Sequence, residues 1–239
     1  MGIQIHNIGS YAIKNYILKT EAGWIAIDTG YPGGECTFLH RFQKLAPLSD
    51  LKYIFLTHAH DDHAGFLAAL LQTVPAQVIL HPAGTAALEA GKSNNPPHAG
   101  HSSRTASMFS HFKKDFSFPP VTLVDRAIFV SDENDQIFHV MGLPIRILFL
   151  SGHTADSIGL LVEDTGELFC GDAAMNEVIS VARHTIWIED VPVFVRSWDK
   201  MLAVSPVKIY PSHRTPFPPA NLLKYRHYMD GRTLIRVKS

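Results

Sequence analysis

Four residues packed into six positions carry the strongest chemical signal of the chain: His58, His60, Asp62 and His63. Imidazole nitrogens and carboxylate oxygens are suitable ligands for zinc, at about 2.0 to 2.2 Å. Side chains two apart in extended backbone point the same way, so His58 and His60 can converge on one ion. Asp62 and His63 fall where a strand gives way to a helix, and the bend aims them at a neighbouring point. One short loop thereby offers two adjacent half-sites. The chain holds 14 histidines, and at that frequency chance assembly of the pattern has a probability of roughly 0.003. A lone histidine is more often a core or surface residue than a ligand; four such residues together at a strand end reverse those odds.

Four ligands cannot complete two coordination spheres, so others must come from elsewhere. Three candidates stand out: His153 in Ser151-Gly152-His153-Thr154, Asp172 in Gly171-Asp172, and His213 in Ser212-His213. Each follows an apolar run, Ile145 to Leu150, Glu167 to Cys170 and Val207 to Tyr210 respectively, that reads as a strand. Loops beyond strand ends build sites on a rigid base. Taken singly each is weak, since Gly-Asp is commonly a turn; taken with the first loop they supply the missing ligands.

The elements that position these residues follow from the pattern of apolar residues. Ile3 to Ile8 alternates, and Ile13 to Thr20 and Trp24 to Asp28 flank Glu21-Ala22-Gly23, a hairpin signal. Glu35 to Leu45 has helical spacing, with Cys36, Leu39, Phe42 and Leu45 near one face. Tyr53 to Leu56 is a buried strand running into the histidine loop, and Ala64 to about Gln72 reads as a helix. Gln77 to Leu80 reads as a strand, and Pro82 to Ala90 as a helix with proline in its first turn. Further strands are expected at Val121 to Val124, Ile137 to Val140 and Ser157 to Val162, an amphipathic helix at Val193 to Val204, and a terminal segment ending in Leu234 to Val237. Strands in runs with helices interspersed argue for an α+β fold. At 239 residues one domain, 1–239, is the default.

Composition narrows the function classes. The chain is 46% hydrophobic and 18% charged, enough apolar mass for a core and too little charge for disorder. A formal net charge of -1 gives no field that favours nucleic acid or an anionic membrane. Cys36 and Cys170 read as buried small hydrophobes, not as a disulfide framework or a zinc knuckle. The absence of a basic region followed by an apolar one at the N-terminus points to the cytoplasm, and no apolar run is long enough to span a bilayer. A small-molecule substrate is expected.

The four motifs, with Ile27-Asp28-Thr29-Gly30 upstream, resemble the metallo-β-lactamase superfamily from about Asp28 to His213. The resemblance implies a four-layer αβ/βα sandwich with its metals in a cleft at one edge of the two sheets. It also implies that His58, His60 and His153 hold one ion, Asp62, His63 and His213 the other, with Asp172 bridging. Two Zn2+ are expected, with iron or manganese admitted. Two divalent ions, two carboxylates and a bridging hydroxide leave the site about one unit positive, suited to a developing oxyanion. The implied activity is a binuclear zinc hydrolase whose hydroxide attacks a small ester, lactone, thioester or cyclic amide, with Asp62 orienting the attacking oxygen. Asp28 reads equally as a hydrogen-bond partner that fixes a ligand and as a turn cap.

Within the superfamily, an Asp172 bridge resembles the glyoxalase II and lactonase branches. Only 26 residues follow His213, short of a glutathione-binding helical region, and Met175 stands where acyl-homoserine lactonases carry Tyr. Ala155-Asp156 replaces the common Pro-Gly, and Ser212 and Arg214 replace the glycines around the last ligand. Arg214 is a candidate clamp for a carboxylate or phosphate, though a surface ion pair is the commoner role. The loop Gly91 to Ser103, with His98 and His101, and the segment Met175 to Ile188, with Arg183, His184 and Trp187, are candidate walls of a substrate cleft. Alternatives are a phosphodiesterase of the same superfamily, an iron-dependent oxidoreductase or sulfur dioxygenase, and a binding protein that kept the fold and lost the chemistry.

Overall fold

The computed structural model describes residues 2–110, 116–123, 125–132, 135–176 and 180–236. In chain order the elements are β1 (Gln4–Asn7), β2 (Tyr16–Thr20), β3 (Gly23–Ile27), α1 (Glu35–Phe42), β4 (Leu51–Phe55), α2 (Leu67–Thr73), β5 (Gln77–Leu80), α3 (Thr85–Ala90), β6 (Gly100–His101) and α4 (Arg104–Ser110). They continue as β7 (Ala127–Phe129), α5 (Ile137–Val140), β8 (Ile145–Phe149), β9 (Ile158–Val162), β10 (Glu167–Gly171), β11 (Trp187–Ile188), α6 (Val191–Ala203), β12 (Lys208–Pro211) and α7 (Ala220–Tyr225). The class is α+β, as the ordering of apolar runs implies. No helix among the described residues is long and apolar enough to cross a membrane.

The chain forms two compact units, Met1–Asn94 with Phe116–Pro144, and Asn95–Asp115 with Ile145–Ser239. The first unit is built on a six-stranded sheet in the order β1-β2-β3-β4-β5-β7. Its first three strands form an antiparallel meander, and β3, β4, β5 and β7 are parallel. A parallel strand flanked on both sides is buried on both faces, which explains the unbroken Tyr53-Ile54-Phe55-Leu56 run. Ile17, Trp24, Ala26, Ile54 and Leu56 from the sheet share one apolar core with Phe38 and Phe42 of α1 and Leu67 and Leu70 of α2. Trp24 meets Phe42 edge-on at 5.7 Å, and Phe38 meets Phe66 at 5.5 Å, aromatic contacts that add to area burial.

The second unit carries a four-stranded sheet in the order β12-β10-β9-β8, with β10 and β12 parallel and the other pairs antiparallel. Its core joins Leu161, Leu168 and Ile209 to Phe194, Trp198 and Met201 of α6 and Leu222 of α7. α6 starts cleanly because Asp190 accepts a hydrogen bond from the Val193 N–H at 2.8 Å and Pro192 lies in its first turn. β6 and β11 make a separate two-stranded ribbon.

Three expectations are corrected. Ile137–Val140 is a helical turn, not a strand: Asp135 Oδ1 accepts from the Ile137 N–H at 2.8 Å and starts the turn, and only Phe138 is buried, against Phe55. A four-residue apolar run has no readable period, so local capping decides. Val121 to Leu123 pair with no strand among the described residues; Val121 N–H bonds the Leu88 carbonyl at the end of α3, directly after Pro119-Pro120, which disfavour a ladder. Val124, like Val237 of the terminal segment, lies outside the described residues. Cys36 is exposed and only Cys170 is buried, because the buried stripe of α1 runs through Phe38 and Phe42, one turn apart.

Candidate metal centre

In the first unit the loop leaving β4 carries the clustered candidate ligands. The backbone turns at once, with His60 O accepting from both the His63 N–H at 3.0 Å and the Ala64 N–H at 2.7 Å. This draws three imidazoles into a bunch: ring centroids lie 4.7 Å apart for His58 and His60 and 3.9 Å for His58 and His63. His63 Nε2 faces Asp62 Oδ1 at 3.7 Å. Ligand atoms around a tetrahedral zinc stand about 3.4 Å from one another given the usual bond lengths, so this spacing accommodates an ion between them.

Behind these ligands stands Asp28. Its φ of +59° places it in the left-handed region that Asp tolerates better than most residues. One carboxylate oxygen accepts the Thr57 N–H at 2.7 Å; the other accepts the Thr57 hydroxyl at 2.8 Å and the His63 Nδ1–H at 2.8 Å. That bond assigns the proton of His63 to Nδ1 and leaves the Nε2 lone pair for a metal. Thr29 grips the same residue from its backbone, since both its N–H and its hydroxyl donate to His63 O at 2.7 Å. Asp28 therefore fixes the ring of a candidate ligand, His63. Sequence reasoning missed Thr57, whose hydroxyl also lies 3.1 Å from His58 Nδ1; a threonine before a histidine carries no distinguishing signal.

In the second unit each of the three scattered candidates sits beyond a strand: His153 after β8, Asp172 directly after β10, and His213 after β12. β10 and β12 are parallel neighbours, which carries Asp172 and His213 to the same sheet edge. Both imidazoles aim at one atom: His213 Nε2 lies 3.4 Å and His153 Nε2 3.8 Å from Asp172 Oδ2. His153 Nδ1 lies 2.8 Å from the Trp187 carbonyl and must donate to it. In the neutral ring Nε2 is then an acceptor facing a carboxylate acceptor. Two acceptors facing each other at that distance suit a cation between them, so the donor set fits a divalent metal.

The segment around Trp187 shapes the His153 loop closely. Glu189 N–H donates to Gly152 O at 2.8 Å and to His153 O at 3.2 Å, and its side chain accepts from the Ala155 N–H at 2.8 Å. Burial pushes the Glu189 carboxyl up to about 7, with the Ala155 N–H opposing and Asp156 adding to the rise. Gly152 has a φ of +126°, and a Cβ there would lie 2.3 Å from the Phe194 backbone, so only glycine fits. Trp187 is paired with His101 in the ribbon, and His101 exchanges backbone hydrogen bonds with Ile235 at 2.9 and 3.0 Å.

Other candidate walls have structural occupations. Arg183 bonds Asn221 and Asn176 and lies over the Phe217 ring, and Asn176 Nδ2 donates to Thr215 O at 2.8 Å. His184 is buried on Trp198, and burial lowers it to about 4 despite a contact with the Tyr225 carbonyl. Arg214 has a φ of +61° and is half-buried, and His98 is exposed.

His58, His60, Asp62, His63, His153, Asp172 and His213 thus belong to groups of His and Asp that could hold a metal ion, which defines a candidate metalloprotein of α+β fold. The chain belongs to the metallo-beta-lactamase superfamily, whose family model matches residues 11–213. Among curated relatives, the lactamase-like protein adaB of Aspergillus niger is 26% identical over 223 residues, 92% of this chain and 56% of its own length. The lactamase-like protein nscB of Trichophyton verrucosum is 24% identical over 92% of this chain and 65% of its own length. The chain therefore spans somewhat more than half the length of these relatives. A metallo-beta-lactamase superfamily protein from Sulfolobus tokodaii matches in structure with a TM-score of 0.65 at 19% identity, covering 98% of this chain and 89% of its own. A metallo-beta-lactamase from Cronobacter sakazakii matches with a TM-score of 0.68 at 19% identity, covering 95% and 88%. A chemotaxis sensor with a peroxy diiron species matches with a TM-score of 0.65 at 12% identity, covering 98% and 93%. At these identities the likeness establishes the fold.

Proposed function

We propose that the protein is a binuclear zinc-dependent hydrolase of small esters, lactones, thioesters or cyclic amides, built as a single domain over residues 1–239. In this reading His58, His60 and His153 would hold one ion, Asp62, His63 and His213 the other, and Asp172 would bridge them. The observation that carries it is the second unit's trio, where two imidazoles converge on Asp172 Oδ2 and Trp187 fixes one of them as an acceptor. When bound, the ions supply Lewis acidity and lower the pKa of water towards neutrality. Asp62 would accept and orient the proton of the reacting water, and Asp28 with Thr57 would hold His63 so that the first loop is preorganised. The absence of a nucleic-acid-attracting net charge supports a small-molecule substrate.

The test is elemental analysis of the purified protein, followed by assay of the zinc-loaded form on a panel of lactones, thioesters, β-lactams and bis-p-nitrophenyl phosphate. About two ions per chain and chelator-sensitive turnover of an ester-type substrate are expected. A folded protein that takes up no metal would refute the reading, and turnover of the phosphodiester alone would replace it with a phosphodiesterase. Asp172→Ala should reduce turnover by roughly a thousandfold or more, the equivalent of about 4 kcal/mol of transition-state stabilisation.

A further inference from the structure

Glu189 has a carboxyl whose position no ordinary surface role explains. The residue is 8% exposed, its Oε2 accepts the Ala155 N–H, and its Oε1 is buried without a hydrogen-bond partner among the described residues. Leaving a buried carboxyl oxygen unmatched is costly. What the arrangement secures is the His153 loop. Glu189 takes hold of that loop in both directions: its backbone N–H donates to the carbonyls of Gly152 and His153, and its side chain receives the N–H of Ala155, two residues further on. The Asp190 N–H adds a bond to Gly152 O at 3.1 Å. Trp187, two residues before Glu189, supplies the carbonyl that His153 Nδ1 requires. The spacing between loop and strand at Glu189 thus determines whether the imidazole reaches the carbonyl at Trp187.

We propose that Glu189 is a positioning residue for His153: its carboxylate pins the loop through the Ala155 N–H, which keeps His153 Nδ1 on the Trp187 carbonyl and turns Nε2 towards Asp172. The proposal rests on the metal-centre reading for its functional consequence, but its structural core is independent of that reading. It accounts for an acid whose side chain bonds a backbone N–H beside a candidate ligand, and it extends the set of functionally needed residues beyond the seven candidate ligands. Partners of this kind set the ring orientation of a metal-bound histidine.

The test compares wild type with Glu189→Ala, Glu189→Asp and Glu189→Gln. Zinc affinity is measured by chelator competition, the His153 Nδ1–H by long-range histidine 15N NMR on the metal-free protein, and folding by circular dichroism. Glu189→Ala is expected to weaken the binding of one ion by about 10- to 100-fold and to lose the Nδ1–H signal, while Glu189→Gln, which keeps an acceptor for Ala155, stays within about threefold of wild type. Glu189→Asp, too short to reach, should resemble Ala; it decides the matter if the Ala variant does not fold. Wild-type affinity together with an unchanged Nδ1–H signal in the Ala or Asp variant would overturn the proposal, as would a Gln variant as weak as Ala. If wild type binds no metal, the hydrolase reading falls, and the Nδ1–H signal alone then judges Glu189.

Discussion

The two ligand sets are built by opposite means. In the first unit four candidate ligands occupy one loop between β4 and α2, drawn together by a single turn and backed by Asp28 with Thr57 and Thr29. In the second, three candidate ligands come from three strand ends between positions 153 and 213, and they meet because β10 and β12 run parallel and a neighbouring segment braces the His153 loop. A local set needs a good turn and one strong acceptor. A distributed set needs the whole sheet and its packing to be right, so it should be the more fragile.

Gly152→Ala attacks the distributed set where it is most exposed to steric damage. The left-handed backbone and the 2.3 Å approach to Phe194 leave a methyl group no space, and a loss of about 3 kcal/mol or more is expected by urea denaturation. The same change in Gly33, where a Cβ would meet nothing, should cost less and provides the control.

Acid bears on the second unit through one buried histidine. His184 is buried in the second unit and held neutral, its pKa lowered to about 4 by burial, with Arg232 and His227 adding to the effect. The unfolded chain takes up that proton near 6.5 while the folded one resists until about pH 4. Stability from this group is therefore complete above 6.5 and lost as the pH falls. Relative to a His184→Gln variant, wild type should lose up to about 3 kcal/mol between pH 7 and pH 4. A pH-independent difference between the two would disprove the assignment.

Smaller effects are expected in the local set. Asp28→Asn keeps one oxygen for the Thr57 N–H but puts an NH2 donor where the other oxygen accepts from the Thr57 hydroxyl and His63 Nδ1, which frees His63 to change tautomer; zinc affinity should fall by about tenfold or more with little change in unfolding. Thr57→Val, which deletes one hydroxyl bond to Asp28 and leaves the backbone bond, should cost about 1 kcal/mol in stability. If Thr57→Val proves more damaging than Gly152→Ala, the contrast between the two sets is wrong.

The same contrast explains what could be read from sequence. The His58 to His63 pattern is dense enough to stand out in one window, and the strands that lead to His153, Asp172 and His213 are marked by apolar runs. The bracing residues leave no such trace. Thr57, Thr29, Glu189 and the Trp187 carbonyl act through the backbone or through partners tens of positions away, and no periodicity encodes that. The misread elements were short: four apolar residues at Ile137 form a turn because of Asp135, and β7 has three residues, too few for alternation to register.

The ribbon of β6 and β11 has a consequence for the handling of this protein. Ile235 is bonded to His101, His101 is paired with Trp187, and the Trp187 carbonyl holds a candidate ligand. The segment at Ile235 is thus a lever on the His153 imidazole from far along the chain. If the proposed metal centre holds, removing residues 232–236 should show up first as slackened ion retention, well before any loss of fold.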